Sequence, residues 1–292
     1  MVGISDGNGH PYSWSIAFNG YNKKEIYKTK FKNIAQYLEN YSFPKFCING
    51  AKVTHIWTQN LKLSKSISRS ALIPNVCKNL EDLTKAVDAI IFARDDYQSR
   101  NKYLPKLLQS GKPIFVDKPI HLNVKSLSKL LKMQKFPGQI YSCSTFCHDI
   151  NFKSLKKNAL SKIGKLKKIY AYAPKSWNTY GVHLVDPVIR EFCKNDKIVK
   201  NIFFRNKFGN FSKVVCKSGL EMNFTTYPKE TIDISMDFVG TKGIKKIIWR
   251  NHFNSFKNSL EYFLQNIKYK KYTNENEHHK KVVQILEKGF SL

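Results

Sequence analysis

The sequence of 292 residues lacks any long apolar run. No stretch approaches the ~18 consecutive apolar residues that a membrane-spanning helix needs, so we expect no membrane partner. Met1 to His10 lack a basic segment followed by an apolar run, so a secretory signal is not expected either. Cysteine is scarce, with six residues, and together these absences predict reduced thiols in a cytoplasmic protein.

A metal site is also not expected. The tightest cysteine spacing is Cys143-x-x-x-Cys147-His148, and it has no second ligand pair nearby in the sequence. A structural zinc ion requires four ligands, so these cysteines are interpreted as core or loop residues.

Acidic residues are few, 21 against 50 lysines and arginines, which gives a formal charge of +29. Such a charge is typical of nucleic-acid-binding proteins. Only six of the basic residues are arginines, however, and arginine is the side chain that recognises bases and phosphates in two-pronged contacts. The lysines are also spread along the whole chain. We therefore expect a solvated basic surface that attracts an acidic small molecule, and no nucleic-acid partner.

The first half of the chain alternates short apolar strands with helical segments, which predicts a doubly wound parallel (Rossmann) sheet. The predicted strands are Val2–Ser5, Ala51–Trp57, Asn75–Cys77, Asp88–Ala93, Pro113–Val116 and Gln139–Cys143. The stretch between the first two strands is too long for one helix, so an insertion is expected around Asn19–Gly50.

The second half has a different pattern, in which strand-like runs follow one another with turn residues between them. This pattern predicts a meander, and therefore an α+β domain with a largely antiparallel open sheet. The expected domains are residues 1–143, which would bind a dinucleotide, and residues 144–292, which would bind the substrate and support oligomerisation.

A glycine turn, Gly7-Asn8-Gly9, follows the first strand and precedes His10 at a predicted helix start. In a dinucleotide site the first glycine forms the tight turn and the second lets the backbone approach the pyrophosphate. The third glycine of that motif is replaced by Tyr12. An ordinary strand-to-helix turn has the same pattern, but its place at the start of the alternating half favours the binding function.

The second strand ends without the carboxylate that usually binds the ribose of NAD. Thr58 and Asn60 stand there and could contact a hydroxyl, while Lys62 could meet a 2′-phosphate. The choice between NAD and NADP therefore stays open.

Two further segments carry groups suited to catalysis. Asp117-Lys118-Pro119 ends a buried strand, so Lys118 is expected at the carboxyl edge of the sheet, where ligands of α/β proteins bind. His183 and Asp186 share one face of a helix, where the carboxylate can orient the imidazole. For the lysine the alternative is a surface turn, and for the histidine it is a structural role.

Taken together, these segments resemble the glucose–fructose oxidoreductase/inositol dehydrogenase (Gfo/Idh/MocA) family. The run from Gly111-Lys112-Pro113 to Asp117-Lys118-Pro119 (usually Glu-Lys-Pro) is the most specific part, and the Gly-x-His-x-x-Asp helix supports it. The resemblance implies an NAD- or NADP-dependent oxidoreductase acting on a sugar, polyol or related small molecule. It also implies a homodimer or homotetramer, because family members often pair through the outer face of the second sheet.

The resemblance assigns roles to particular positions. Catalysis is expected from Lys118 and His183, with Asp186 orienting the histidine. The expected cofactor contacts are Gly7, Asn8, Gly9, His10, Thr58, Asn60, Ala93, Arg94, Asp95 and Lys118. The expected substrate contacts are Tyr97, Trp177, Asn178, Thr179 and Tyr180.

Several positions depart from the family pattern: Tyr12 at the third glycine, Asn60 at the ribose acid, Arg94 to Tyr97 at the turn after the fourth strand, and Thr179 where many members have an acid. These departures motivate an alternative hypothesis, a dinucleotide-binding sensor or regulatory protein without catalytic activity. A nucleic-acid-binding protein is a third hypothesis, and charge alone supports it.

Overall fold

The computed structural model describes residues 1–43, 45–155 and 160–290, which form two compact units. The first unit contains Met1–Ile120, Lys129–Ser142 and Leu260–Asn274. The second contains His121–Ser128, Cys143–Ser259 and the chain from Glu275 onward. Two segments therefore differ from a single division after residue 143. His121–Ser128 belongs to the second unit, and Leu260–Asn274, which contains the end of a late helix, belongs to the first.

The first unit is built on short parallel strands. They are β1 (His55–Ile56), β2 (Asn75–Val76), β3 (Ile90–Phe92), β4 (Ile114–Val116) and β5 (Ile140–Tyr141). Val2 bridges Trp57 on one side and Phe92 on the other, so the spatial order is β2, β1, Val2, β3, β4, β5. This is the 3-2-1-4-5-6 order of a dinucleotide-binding sheet, and it confirms the predicted Rossmann fold.

Along the described chain, seven helices connect these strands, beginning after Val2. They are α1 (His10–Asn19), α2 (Lys23–Tyr27), α3 (Lys32–Leu38), α4 (Leu61–Ser70), α5 (Leu80–Ala86), α6 (Tyr97–Gln109) and α7 (Val124–Lys132). Helices α2 and α3 occupy the expected insertion. The two ends of the insertion are joined by Asn19, whose side chain donates to the Val53 carbonyl at 2.8 Å and accepts from the Val53 amide at 3.0 Å.

The second unit contains one six-stranded sheet. Its strands are β6 (Leu166–Pro174), β7 (Ile198–Arg205), β8 (Asn210–Cys216), β9 (Glu221–Tyr227), β10 (Ser235–Gly240) and β11 (Ile244–Ile248). The order is β11, β10, β6, β9, β8, β7, and all pairs except β6 with β9 are antiparallel. The largely antiparallel sheet is confirmed, but a continuous meander is wrong, because β6 lies between β9 and β10.

One face of this sheet is covered by α10 (Trp177–Phe192). Alternate side chains such as Ala171, Phe224 and Phe238 are buried there, as expected for strands with one covered face. The remaining helices are α8 (Ile150–Ser154), α9 (Leu160–Ile163), α11 (His252–Lys268) and α12 (Asn276–Glu287), with a short 3₁₀ helix at Thr145–His148. The helix predicted near Phe152–Leu160 includes residues 156–159, which lie outside the described residues. No described helix is long and apolar enough to cross a membrane.

Candidate functional site

The glycine turn lies at the carboxyl edge of the parallel sheet, and its two glycines differ in kind. Gly7 has φ +73°, and a Cβ there would meet nothing within 4 Å. Gly9 precedes α1 with a negative φ, and a Cβ there would lie 2.7 Å from Ile34 and 3.0 Å from Phe31. Both of these insertion side chains are buried. Gly7 is therefore required by the backbone, whereas Gly9 is required by close packing of the insertion and not by an open approach for a pyrophosphate.

Asp117, directly after β4, holds the glycine turn in place. Its carboxylate accepts a hydrogen bond from Asn8 Nδ2 at 3.2 Å, and His10 Nδ1 lies 2.6 Å from the same oxygen. Burial by itself raises the pKa of Asp117, but the charge and hydrogen bond of His10, with Lys118 and Arg100, lower it below its ordinary value. The result is a fully buried carboxylate that is ionised at neutral pH.

Lys118 directly follows Asp117 in the sequence and is held by the same carboxylate. Its amide donates to the second Asp117 oxygen at 2.8 Å, and its peptide bond to Pro119 is cis. The side chain is half-buried. The expected cofactor residues Asn8, His10 and Lys118 are thus brought together around one carboxylate.

Arg100 is a buried residue that sequence reasoning missed. Its guanidinium donates to the carbonyls of Arg94 and Asp117, at 3.0 Å each, and also to the carbonyl of Pro119. Burial lowers its pKa to about 10, so it remains charged at neutral pH. It therefore ties the segment after β3 to the segment after β4. Its acceptors lie 6, 17 and 19 residues away in the sequence, so no local pattern indicates its role.

The expected ribose contacts are engaged in other bonds. Thr58 Oγ1 donates to the Asn60 carbonyl at 2.7 Å, and Asn60 Oδ1 caps α4 by accepting from the amides of Lys62 and Leu63. Both side chains stabilise the strand-to-helix turn. The expectation that they contact a ribose is therefore not supported by their hydrogen bonds.

A cavity of about 280 Å³ lies at this edge of the first unit. It is lined by the glycine-turn segment, by α4 and by the insertion, including Asp6, Tyr12, Lys30, Phe31, Gln59 and Ser66. Lys30 pairs with Asp6 at its rim. The Tyr12 hydroxyl, at the position of the missing third glycine, is bonded to Ser66 at 3.1 Å. The insertion therefore supplies one wall of the cavity.

The turn after β3 is also fixed by side chains. Arg94 donates to Asp96 and to Gln59, each at 2.7 Å, and Asp95 accepts from Ser5. Ala93 is buried and donates its amide to the Val2 carbonyl at 3.0 Å. Tyr97, the expected substrate contact, is exposed at the first position of α6.

In the second unit, His183 is oriented through Ser144. His183 Nδ1 lies 2.9 Å from the Ser144 hydroxyl, and the ring meets Trp249 at 5.3 Å and Tyr180 at 5.4 Å between centroids. Asp186 accepts the Ser144 amide at 2.5 Å. The connection from Asp186 to the imidazole therefore runs through Ser144, which sequence reasoning missed because it lies 39 residues away.

Asp186 is the centre of a buried charge cluster. It accepts from His278 Nε2 at 2.5 Å and from Arg190 at 3.3 Å, and Arg190 also pairs with Glu275. Burial raises the pKa of Asp186, but Arg190 and His278 lower it further than burial raises it. The carboxylate is thus ionised and links α10 to α12.

The expected substrate residues lie in the first turn of α10. Asn178 and Thr179 are exposed, and Tyr180 is half-buried under the ammonium of Lys175. Trp177 differs, because it is 1% exposed and donates its indole N–H to the Leu286 carbonyl at 3.0 Å. It anchors the core, and this burial corrects its assignment as a substrate contact.

The cysteines at 143 and 147 are buried, and all six are free thiols. Within residues 1–43, 45–155 and 160–290, no group of three or more metal-ligating side chains is assembled.

Comparisons with known proteins support the sequence resemblance. Residues 30–145 match the family model of the Gfo/Idh/MocA proteins, described as an oxidoreductase family with an NAD-binding Rossmann fold. The resemblance of this chain to that family is therefore confirmed. No protein of curated function matches the sequence significantly.

Three solved structures illustrate the likeness in fold. A myo-inositol dehydrogenase from Corynebacterium glutamicum has a TM-score of 0.73 at 11% identity, covering 99% of this chain and 94% of its own. A scyllo-inositol dehydrogenase from Lactobacillus casei has a TM-score of 0.71 at 14% identity, covering 99% and 95%. A 3-ketoreductase from Actinomadura kijaniata, solved with NADP and TDP-benzene, has 0.67 at 12%, covering 99% and 95%. At these identities the likeness describes the fold.

Proposed function

We propose that this chain is an NAD- or NADP-dependent oxidoreductase that acts on a CH–OH group of a sugar, polyol or sugar-derived substrate. The observation that carries the proposal is the arrangement around Asp117, which places Lys118 and the glycine turn at the carboxyl edge of a dinucleotide-type sheet. The match of residues 30–145 to an NAD-binding oxidoreductase family supports it.

The dinucleotide site would be formed by the first unit. The open space beside Gly7 and the N-terminus of α1 fit a bound phosphate group, and the cavity beside Lys30 fits the other end of the cofactor. When bound, the nicotinamide ring supplies the carbon that exchanges a hydride with the substrate carbinol. Because the cavity holds one cation and one carboxylate at its rim, we propose weak discrimination between NAD and NADP.

Lys118 and His183 would act on the hydroxyl of the substrate. The Lys118 ammonium would donate a hydrogen bond to that oxygen and stabilise its developing negative charge. His183 would remove or return the hydroxyl proton, and Ser144 would keep its ring oriented, with Asp186 behind it. Asn178, Thr179 and Tyr180 are the proposed substrate contacts of α10.

The test of the proposed proton transfer is the His183→Asn variant. We expect turnover to fall by ~10²–10⁴-fold, the usual effect of losing a positioned general base, while the affinity for the dinucleotide survives. Wild-type turnover in this variant, on a proven substrate, would assign His183 a structural role.

A second function is favoured by one observation. Phe31 and Ile34 pack against Gly9, where a pyrophosphate would otherwise approach the backbone. This contact and the missing ribose acid depart from the usual dinucleotide site, and these departures motivate the second function, a dinucleotide-binding sensor or regulatory protein without turnover. The two functions are separated by measuring dinucleotide binding and turnover on the same preparation, because the sensor binds without turning over.

We also propose that the chain forms a homodimer or homotetramer in the cytoplasm. On the sheet face opposite α10, the strand register places Tyr172, Thr225, Phe211 and Phe204 in one row. Phe204 is 52% exposed and stacks on Phe211 at 4.8 Å. Light scattering is expected to give a multiple of the chain mass, reduced to one chain in Phe204→Glu. The six free cysteines support a reducing compartment.

A further inference from the structure

His10 and Asp117 form a hydrogen-bonded pair that has no role in the proposed reaction. His10 Nδ1 lies 2.6 Å from a carboxylate that is itself 0% exposed, and the His10 side chain is 34% exposed. The imidazole is therefore bonded to Asp117 on its buried side and accessible to solvent on the other side. A buried carboxylate behind a partly exposed imidazole is the arrangement that orients catalytic histidines.

The orientation of the ring is fixed at three points. The His10 amide donates to Asn8 Oδ1 at 2.8 Å, and the ring stacks on Trp14 with centroids 4.7 Å apart and planes 9° apart. Trp14 in turn meets Phe115 of β4 edge-on at 5.2 Å. The ring is thus placed by the glycine turn, by α1 and by the strand that ends at Asp117.

The hydrogen bond from Nδ1 to Asp117 determines whether the other ring nitrogen, Nε2, can accept a proton. An ionised carboxylate only accepts hydrogen bonds, so Nδ1 must carry the proton. In the neutral ring Nε2 then has a free lone pair, and it makes no hydrogen bond within the described part of the chain. His10 can therefore accept a proton from a ligand, and Asp117 then stabilises the imidazolium that forms.

The same carboxylate also holds the segment that carries Lys118. It accepts a hydrogen bond from the Lys118 amide at 2.8 Å, and the charges of Lys118 and Arg100 help to lower its pKa. One carboxylate therefore holds both the His10 imidazole and the backbone of Lys118 at the same sheet edge.

We propose that His10 is a proton-accepting residue and that Asp117 is its positioning residue. The proton comes from a hydroxyl group: the O–H bond breaks, its electron pair stays on oxygen, and a new N–H bond forms at Nε2. That the hydroxyl is the carbinol of a sugar or polyol rests on the proposed function, in which the nicotinamide dinucleotide is the oxidant that takes the hydride. The inference therefore names His10 as an alternative to His183 for this one proton, and comparison of His10→Gln with His183→Asn decides which residue accepts it.

The first test needs no substrate. Nitrogen-15 NMR of the full chain, in mildly alkaline buffer where histidines are neutral, identifies the His10 signals as those lost in His10→Gln. We expect the tautomer with the proton on Nδ1, and a change of tautomer in Asp117→Asn, the known effect of this substitution in a catalytic triad. A proton on Nε2 in the wild type would overturn the inference, since Nε2 could not then accept one.

The second test asks whether the lone pair is accessible. Diethyl pyrocarbonate acylates unprotonated imidazole nitrogens, and peptide mass spectrometry shows which of the eight histidines react. We expect acylation at His10, absent in His10→Gln and slowed in Asp117→Asn. An unreactive His10 in the folded wild type would show that Nε2 is closed to ligands and would overturn the inference.

The third test uses myo-inositol and NAD⁺ or NADP⁺ as probes, with other polyols as a panel. We expect His10→Gln to lower kcat by ~10²–10⁴-fold with little change in dinucleotide affinity, and Asp117→Asn to lower kcat more than it raises KM. Unchanged kcat in His10→Gln would overturn the catalytic role. If the wild type binds no dinucleotide, the proposed function fails, and the NMR and acylation results still decide whether the dyad exists.

Discussion

The hydroxyl of Ser144 lies 2.9 Å from Nδ1 of His183, and the amide of the same residue donates to Asp186. One serine therefore connects the proposed base to the buried carboxylate. Ser144 is the first residue of the expected second domain, and its hydroxyl, which also accepts from the Phe146 amide at 3.4 Å, can be removed while its own amide stays.

Ser144→Ala removes the hydroxyl and keeps the amide. We expect dinucleotide binding and folding to be nearly unchanged, because the bond to Asp186 survives and the capping bond that is lost, from the Phe146 amide, is long at 3.4 Å. Turnover should fall about fivefold, corresponding to about 1 kcal/mol for the lost hydrogen bond. Steady-state kinetics on a proven substrate measure this, and Ser144→Thr, which restores a hydroxyl, is expected to recover most of the rate. Equal turnover in all three proteins would contradict the positioning role.

Lys118→Met tests the proposed oxyanion contact. We expect catalysis to be lost while dinucleotide affinity stays within a factor of about three, because the glycine turn is held by Asp117 and not by the ammonium. The matched control is Lys112→Met, since Lys112 also precedes a proline, is also half-buried and lies at the opposite end of β4. If both variants lose activity equally, the effect is not specific to the sheet's carboxyl edge.

Gly7→Ala tests the glycine turn. Gly7 and Gly111 both have positive φ, +73° and +68°, and at neither would a Cβ meet an atom within 4 Å. The two alanine variants should therefore lose similar stability, about 1 kcal/mol, from backbone strain alone. We expect only Gly7→Ala to weaken NADH or NADPH binding, as followed by fluorescence. Equal affinities in the two variants would remove Gly7 from the site.

His148 predicts a pH dependence of stability. Burial lowers the pKa of its imidazole to about 3, and the charges of Lys153 and Arg190 act in the same direction. Below the ordinary pKa of ~6.5, His148 binds a proton in the unfolded chain but stays neutral in the folded chain. The free energy of unfolding therefore falls as the pH falls. Between pH 7 and pH 5 this costs about 2 kcal/mol of unfolding free energy.

The check is urea unfolding of wild type and His148→Gln at both pH values. The glutamine variant should lose about 2 kcal/mol less than the wild type between pH 7 and pH 5, whatever its stability at pH 7. Parallel losses in the two proteins would show that His148 does not remain neutral in the folded state.

The alternation of strands and helices was enough to predict the parallel sheet, because each short buried run is followed by a helix with local signals. Asn79, for example, caps α5 by accepting the Asp82 amide, as its place before an acidic first turn predicts. The signal at Asn60 was of the same kind, since an asparagine before a helix is a typical cap. Its capping bonds explain why it is not free for a ribose.

The contacts that build the site could not be predicted in this way. His10 and Asp117 are 107 residues apart, and Ser144 and His183 are 39 apart, so no local pattern indicates either pair. The place of β6 between β9 and β10 has the same cause, because periodicity identifies strands and not their partners. The packing of Leu260–Asn274 in the first unit depends on Phe263 meeting Phe115 and Tyr141, which sequence spacing does not reveal.

The measurement that tests the central claim most directly is a titration of the purified full chain with NADH and with NADPH, followed by nicotinamide fluorescence. We predict saturable binding of both, in the 1 μM–1 mM range common for enzyme ligands. The two dissociation constants should lie within about tenfold, or ~1.4 kcal/mol, because Asp6, the acid among the described residues that line the cavity, is paired with Lys30. No saturable signal with either dinucleotide at millimolar concentration would contradict the account.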